Sequence, residues 1–113
     1  MATVHMHIAE EQLSPFLIYL GIGTLQAILS GTVSPEVGIW TLGAPQTWAL
    51  FEGNSRVSPE VITIFQTCDE LSAIRDLAPE FFENEIRTLI QRLQVELSKI
   101  EDPIWNIKWT IDT

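Results

Sequence analysis

The chain has 113 residues, of which 46% are apolar and 19% charged, and these values exclude a disordered polymer and describe one domain, residues 1–113, with a real core. Its net charge of −9 excludes direct binding to phosphate backbones, which needs clustered Lys and Arg, and disfavours acidic membrane surfaces. A single cysteine, Cys68, excludes an intrachain disulfide, and the N-terminus lacks the basic and apolar regions of a secretory signal, so a cytoplasmic protein is expected.

Residues 3–8, T-V-H-M-H-I, alternate between Val4, Met6 and Ile8 on one face and Thr3, His5 and His7 on the other. That is the period of a half-buried strand. The next segment carries no charge from Gln12 to Pro35 and approaches the length of a membrane span. It is interrupted by Ser14, Pro15, Gly21, Gly23, Thr24 and Gln26, and neither end bears a Lys or Arg to set orientation. A central helix, Leu13–Leu29, buried on most sides is the expected form, starting near Ala9 or at Ser14–Pro15 and ended by Gly31. Within it, Gly21 and Gly23 cost helix stability, and their expected use is close approach of another helix or of a ring such as Trp40 or Trp48. The third glycine and the lysine of phosphate-binding loops are absent there.

The tetrapeptide S-P-E-V occurs at Ser34–Val37 and again at Ser58–Val61. Serine suits the N-cap, proline the first helical position, and glutamate the positive end of the helix dipole. Prolines recur at 15, 35, 59 and 79, each before an apolar run, so the recurrence marks helix starts rather than a repeated module. The helix from Pro35 is short because Gly43-Ala44-Pro45 follows, and T-W-A-L-F adds a further turn before Gly53-Asn54. The helix from Pro59 places Val61, Ile62, Ile64, Phe65 and Cys68 on an apolar face and continues through Asp69 and Glu70 before bending toward Ala78-Pro79.

From Pro79 to about Ile100 the apolar stripe Phe82, Ile86, Ile90, Leu93, Leu97 and Ile100 keeps helical period, with Glu83–Arg87 and Arg92–Glu96 as i,i+4 pairs. The stripe is core or a dimer seam. After Pro103 the period becomes two, with Trp105, Ile107, Trp109 and Ile111 on one face. This strand is expected to pair with the N-terminal one and to pack on the helices, or to pair with a second subunit.

The run G-T-L-Q-A-I-L-S-G-T-V-S-P-E, Gly23 to Glu36, resembles an uncharacterised family of small bacterial proteins, a domain of unknown function. That family's pattern is G-T-L-x-A-L, a glycine, a Ser-x-x-Glu-type helix start, a proline-containing link, a C-terminal amphipathic helix and a Trp-containing tail. Here Ile28 stands in place of Leu, and Gly38, Ile39 and Trp40 stand in place of acids. The resemblance implies no activity, cofactor or catalytic residue.

The expected fold is mainly α (α+β): four to five helices around a buried N-terminal helix, with a small two-stranded ribbon from the termini. Candidate chemistry is sparse. His5-x-His7 puts both imidazoles on one side of a strand, but no further residues have metal-ligand spacing, so no metal is expected. Cys68 lacks an adjacent base and reads as a small buried thiol. No cofactor motif and no catalytic residues are assigned. The acids Asp69, Glu70, Asp76, Glu80 and Glu83 form either a solvated face or a docking face for a basic protein. The expected function is therefore a non-enzymatic protein acting by protein–protein binding, in one version an acidic immunity or antitoxin-type protein covering a basic nuclease-like toxin. The alternatives are a small-ligand pocket lined by Trp40, Trp48, Trp105 and Trp109, and a structural homodimer joined by the terminal strands or the Phe82–Ile100 stripe.

Overall fold

A computed structural model describes residues 2–101 and 107–112. The element order is β1 (Thr3–His7), α1 (Leu13–Leu29), α2 (Pro35–Gly43), α3 (Pro45–Trp48), α4 (Pro59–Thr67), α5 (Glu70–Leu77), α6 (Phe82–Ser98) and β2 (Lys108–Asp112). Single 3-10 turns precede α1 and α6 and follow α3. The fold is mainly α, with five helices of at least eight residues among the described residues and one antiparallel ribbon.

Helix α1 is the centre of the fold, packing along α6 and also against α2 and α4. The segment Glu10–Leu29 is long and apolar enough to cross a membrane, but Leu17, Ile18, Leu25 and Ile28 are spent on the core. Around them lie Ile39 and Leu42 of α2, Val61, Ile64 and Phe65 of α4, Leu71 of α5, and Ile86, Leu89 and Leu93 of α6. The α6 stripe is thus core, and it includes Leu89; Phe82, Leu97 and Ile100 pack on it from partly buried positions. Gly31 ends α1 with a φ of 77°, the left-handed conformation expected of a glycine just past a helix.

Close approaches set the helix crossings. A Cβ at Gly21 would lie 2.8 Å from Leu93 Cδ1 and 3.2 Å from Phe65 Cε1, so the ring received there is Phe65, not a tryptophan. Gly23, by contrast, faces open space. Gly38 lets α2 settle on Ile28, and a Cβ at Gly43 would lie 2.7 Å from the Asp69 backbone nitrogen. Gly43 therefore lies against the bend at Cys68–Asp69, where the expected single helix is divided into α4 and α5. No proline or glycine marks that break; it is a tertiary feature.

The start of α1, open between Ala9 and Ser14–Pro15, falls at Leu13, and two further expectations change. Ser14 lies inside α1 rather than capping it: its hydroxyl donates to the Arg56 carbonyl at 3.2 Å and accepts from the Ser58 N–H at 2.8 Å. Ser58 makes no cap bond to α4, and its hydroxyl donates to Glu96 at 2.7 Å. Arg92 reaches across to Glu60 at 2.5 Å rather than down its own helix to Glu96, while Glu83–Arg87 forms as expected at 2.7 Å.

The termini pair in register Thr3↔Asp112, Val4↔Ile111, His5↔Thr110, Met6↔Trp109 and His7↔Lys108. Among the described residues the expected packing of this ribbon on the helices is not seen. Every β2 residue is exposed, as is every β1 residue except the half-buried Met6. The pairing follows from period-two patterning, but Val4, Trp109 and Ile111 of the apolar face remain exposed.

Candidate functional site

The acidic stretch occupies one corner of the molecule, where α5, the Pro79–Phe81 turn and the start of α6 meet. Asp69, Glu70, Asp76, Glu80 and Glu83 are all exposed there. Helix α5 buries Leu71 and presents the acids outward, and the turn at Pro79 redirects the chain without a side-chain cap. An ion pair between Arg75 and Glu36 ties the corner to α2, with Asp76 3.7 Å from the same guanidinium. Arg87 offsets Glu83. Asp69, Glu70 and Glu80 have no ion-pair partner among the described residues.

Two large apolar side chains stand among these acids: Leu77 is 85% exposed and Phe81 58% exposed. Neither was singled out from the sequence, although the signal was present. Phe81 falls outside the α6 stripe that takes in Phe82, and Leu77 is the last residue before Ala78-Pro79. On the neighbouring helix Val37 and Trp40 are also exposed, and the Trp40 indole N–H donates to Glu36, the residue paired with Arg75. The corner therefore combines negative charge with exposed apolar side chains.

The tryptophans do not converge. Trp40 is half exposed on α2; Trp48 packs on the core edge and donates to the Gly43 carbonyl at 3.2 Å; Trp109 is 59% exposed on the ribbon. Trp105 lies outside the described residues. Among the described residues, none of the four best-formed clefts is lined by Trp40, Trp48 or Trp109.

The largest of these four, about 590 Å3, runs between the start of α4 and α6. Its charges are already matched, Arg92 by Glu60 and Lys99 by Glu96. A second cleft of about 360 Å3 shares Ser58, Pro59, Glu96 and Lys99 with it. The Glu96 side chain is 11% exposed, and hydrogen bonds from Lys99 and then Ser58 hold its carboxyl below the ordinary carboxylate range. The Ser58 hydroxyl donates to this carboxylate at 2.7 Å.

Cys68 is fully buried, and burial, with the Asp69 charge adding to it, pushes its thiol up to about 12, which keeps it in the unreactive protonated form. His5 bonds Asp112 at 2.5 Å and His7 bonds Thr110 at 2.8 Å, each diagonally across the ribbon. Among the described residues no cluster of three His, Cys, Asp or Glu side chains has a metal-binding arrangement.

Fold and surface together define a small helical domain with a ribbon closed by its two ends and a charged, apolar-studded corner. The chain belongs to the family described as protein of unknown function (DUF3969), whose model matches residues 9–111. Among the described residues the matched span contains the six helices and β2 as far as Ile111, and it begins just after β1. No curated protein and no solved structure shows a significant match to the chain.

Proposed function

We propose that this is a non-enzymatic cytoplasmic protein that works by binding another protein through the α5–α6 corner. The observation that carries the reading is the exposure of Leu77 and Phe81 amid Asp69, Glu70, Asp76, Glu80 and Glu83. Acids on the rim of such a patch speed the approach of a basic partner, and the apolar side chains supply the short-range contact energy once water is expelled. A basic partner follows from charge sign, and a chain of net charge −9 covering a basic nuclease-like toxin, as an immunity or antitoxin-type protein does, is the concrete version.

The test is capture from lysate at low and high salt with three baits: the wild type, Leu77→Ser/Phe81→Ser, and Asp76→Lys/Glu80→Lys. The wild type is expected to retain a basic protein at low salt that both variants lose, and its retention is expected to weaken as salt rises. Identical proteins on all three baits would remove this corner as the contact surface.

A further inference from the structure

The ribbon is the second surface that the fold leaves unfinished. A two-stranded ribbon is marginal on its own in water, and three or more strands are needed for independent stability. Its two strands are also separated by most of the chain, so local turn geometry does nothing to hold them together. Among the described residues the sheet ends at β2, whose outer edge offers unpaired backbone groups to another strand. Only Lys108 and Asp112, at its two ends, carry charge on that strand.

We infer that β2 pairs antiparallel with β2 of a second copy of this chain, with the pairing centred on Thr110, to give a continuous four-stranded sheet in a two-fold dimer. The register follows from the residues. With Thr110 opposite its own copy, Lys108 lies opposite Asp112 and Trp109 opposite Ile111, and the two-fold axis repeats both pairs. Opposite charges and aromatic–β-branched partners are the cross-strand pairs that stabilise a sheet. Lys108 has no ion-pair partner among the described residues, and the Asp112 side chain is 75% exposed while it bonds His5. Self-pairing of β1 about His5 would instead set His5 against His5 and Thr3 against His7, with no charge pair.

Charge layout also selects a second copy over other occupants. The chain carries −9, but the described ribbon residues 3–7 and 108–112 hold one lysine and one aspartate, which cancel. Two copies can therefore meet at the ribbon without local like-charge repulsion, whereas a basic partner gains nothing there. The strand contributes 5 residues from each copy, far fewer than a standard-size interface, so the dimer is expected at high micromolar rather than nanomolar concentration.

The test is sedimentation equilibrium of the full chain from about 5 to 500 µM at low salt, on the wild type and on charge variants. The wild type is expected to dimerise. Lys108→Asp and Asp112→Lys, each setting like charges opposite one another twice, are expected to weaken the dimer about tenfold. The combined Lys108→Asp/Asp112→Lys exchange restores the opposite pairs and is expected to recover most of the loss. A wild type that stays monomeric throughout, or an exchange no better than the single reversals, would overturn the proposal. Thr110→Cys adds a check of register: oxidation is expected to crosslink copies at 110 but not through Lys108→Cys, and the reverse pattern would also overturn it. Leu77→Ser/Phe81→Ser leaves dimerisation unchanged, which separates this surface from the proposed partner corner.

Discussion

The same four residues, S-P-E-V, open α2 and α4, and the structure uses them in two different ways. At α2 the Ser34 hydroxyl accepts from the Val37 N–H at 3.4 Å, a local cap within one turn. At α4 the Ser58 hydroxyl turns away to Glu96 of α6, and its backbone N–H is taken by Ser14 of α1. Glu36 pairs with Arg75 on α5, whereas Glu60 pairs with Arg92 on α6. The valines differ most: Val37 is 60% exposed and Val61 is fully buried. In α2 burial begins at Gly38 and Ile39, and in α4 one position earlier, at Val61 and Ile62. One position is about 100° of rotation around a helix axis. A cap sequence therefore says where a helix begins, and the residues after it decide which side faces the core.

Breaking this comparison at the valines has the largest expected effect. Val61→Asp places an unpaired carboxyl in the core and is expected to cost more than about 4 kcal/mol, enough to unfold a domain of this size. Val37→Asp, at the matching position of the other copy, is expected to stay within about 0.5 kcal/mol. Urea denaturation followed by circular dichroism checks both, and equal losses would show that the two helices bury the same face.

Next comes Ser14→Ala, which strands the Ser58 N–H where the loop packs on α1 and is expected to cost about 1–3 kcal/mol. Ser58→Ala, which removes a hydrogen bond to a charged carboxylate, is expected to cost about 1–2 kcal/mol at neutral pH. Its pH dependence separates it from a simple cap. The folded-state pKa of Glu96 lies below its unfolded value, so the unfolded chain takes up the proton more readily. The stabilisation is therefore complete above the unfolded pKa, about 4.3, and is lost as pH falls through the folded pKa. Denaturation midpoints from neutral pH down to about pH 3 are expected to converge for the wild type and Ser58→Ala, and Glu96→Gln removes that part of the acid dependence.

The smallest effect is expected from Ser34→Ala. This exposed cap has a long hydrogen bond, so the loss sits near the low end of the usual range, about 0.5 kcal/mol, and does not vary with Glu96 titration. Thermal melts at two pH values check it. A double-mutant cycle sharpens the contrast: Ser58→Ala is expected to couple to Glu96→Gln and Ser34→Ala is not.

Much of the fold was legible in the sequence because it rests on local chemistry. Gly31, the prolines at 35, 59 and 79, and the 3.6-residue stripe of α6 marked helix limits and the principal core face. Period-two alternation at both ends marked the strands and their pairing. The break between α4 and α5 was not legible, because it coincides with the close approach of Gly43 from a distant part of the chain. The ion pair of Arg92 was misread for a related reason: an i,i+4 partner was available in its own helix, but Glu60 lay closer in space. At the candidate site the acids were legible as charge, and Leu77 and Phe81 were not, since an apolar residue beside a helix end is buried or exposed according to what packs over it.

Local chemistry set the starts of α2 and α4, the end of α1, the strand period at each terminus, the burial of Cys68 and the acidic character of the α5–α6 corner. These follow from backbone sterics, hydrogen-bond donors at helix ends and side-chain periodicity, all of which act within a few residues. Long-range packing, by contrast, joins Ser14, Ser58 and Glu96 across three helices, sets Phe65 against Gly21, and leaves Val4, Trp109 and Ile111 of the ribbon exposed. Those outcomes depend on which surfaces meet across long sequence separations, where one hydroxyl or one glycine takes whichever partner the packing brings near.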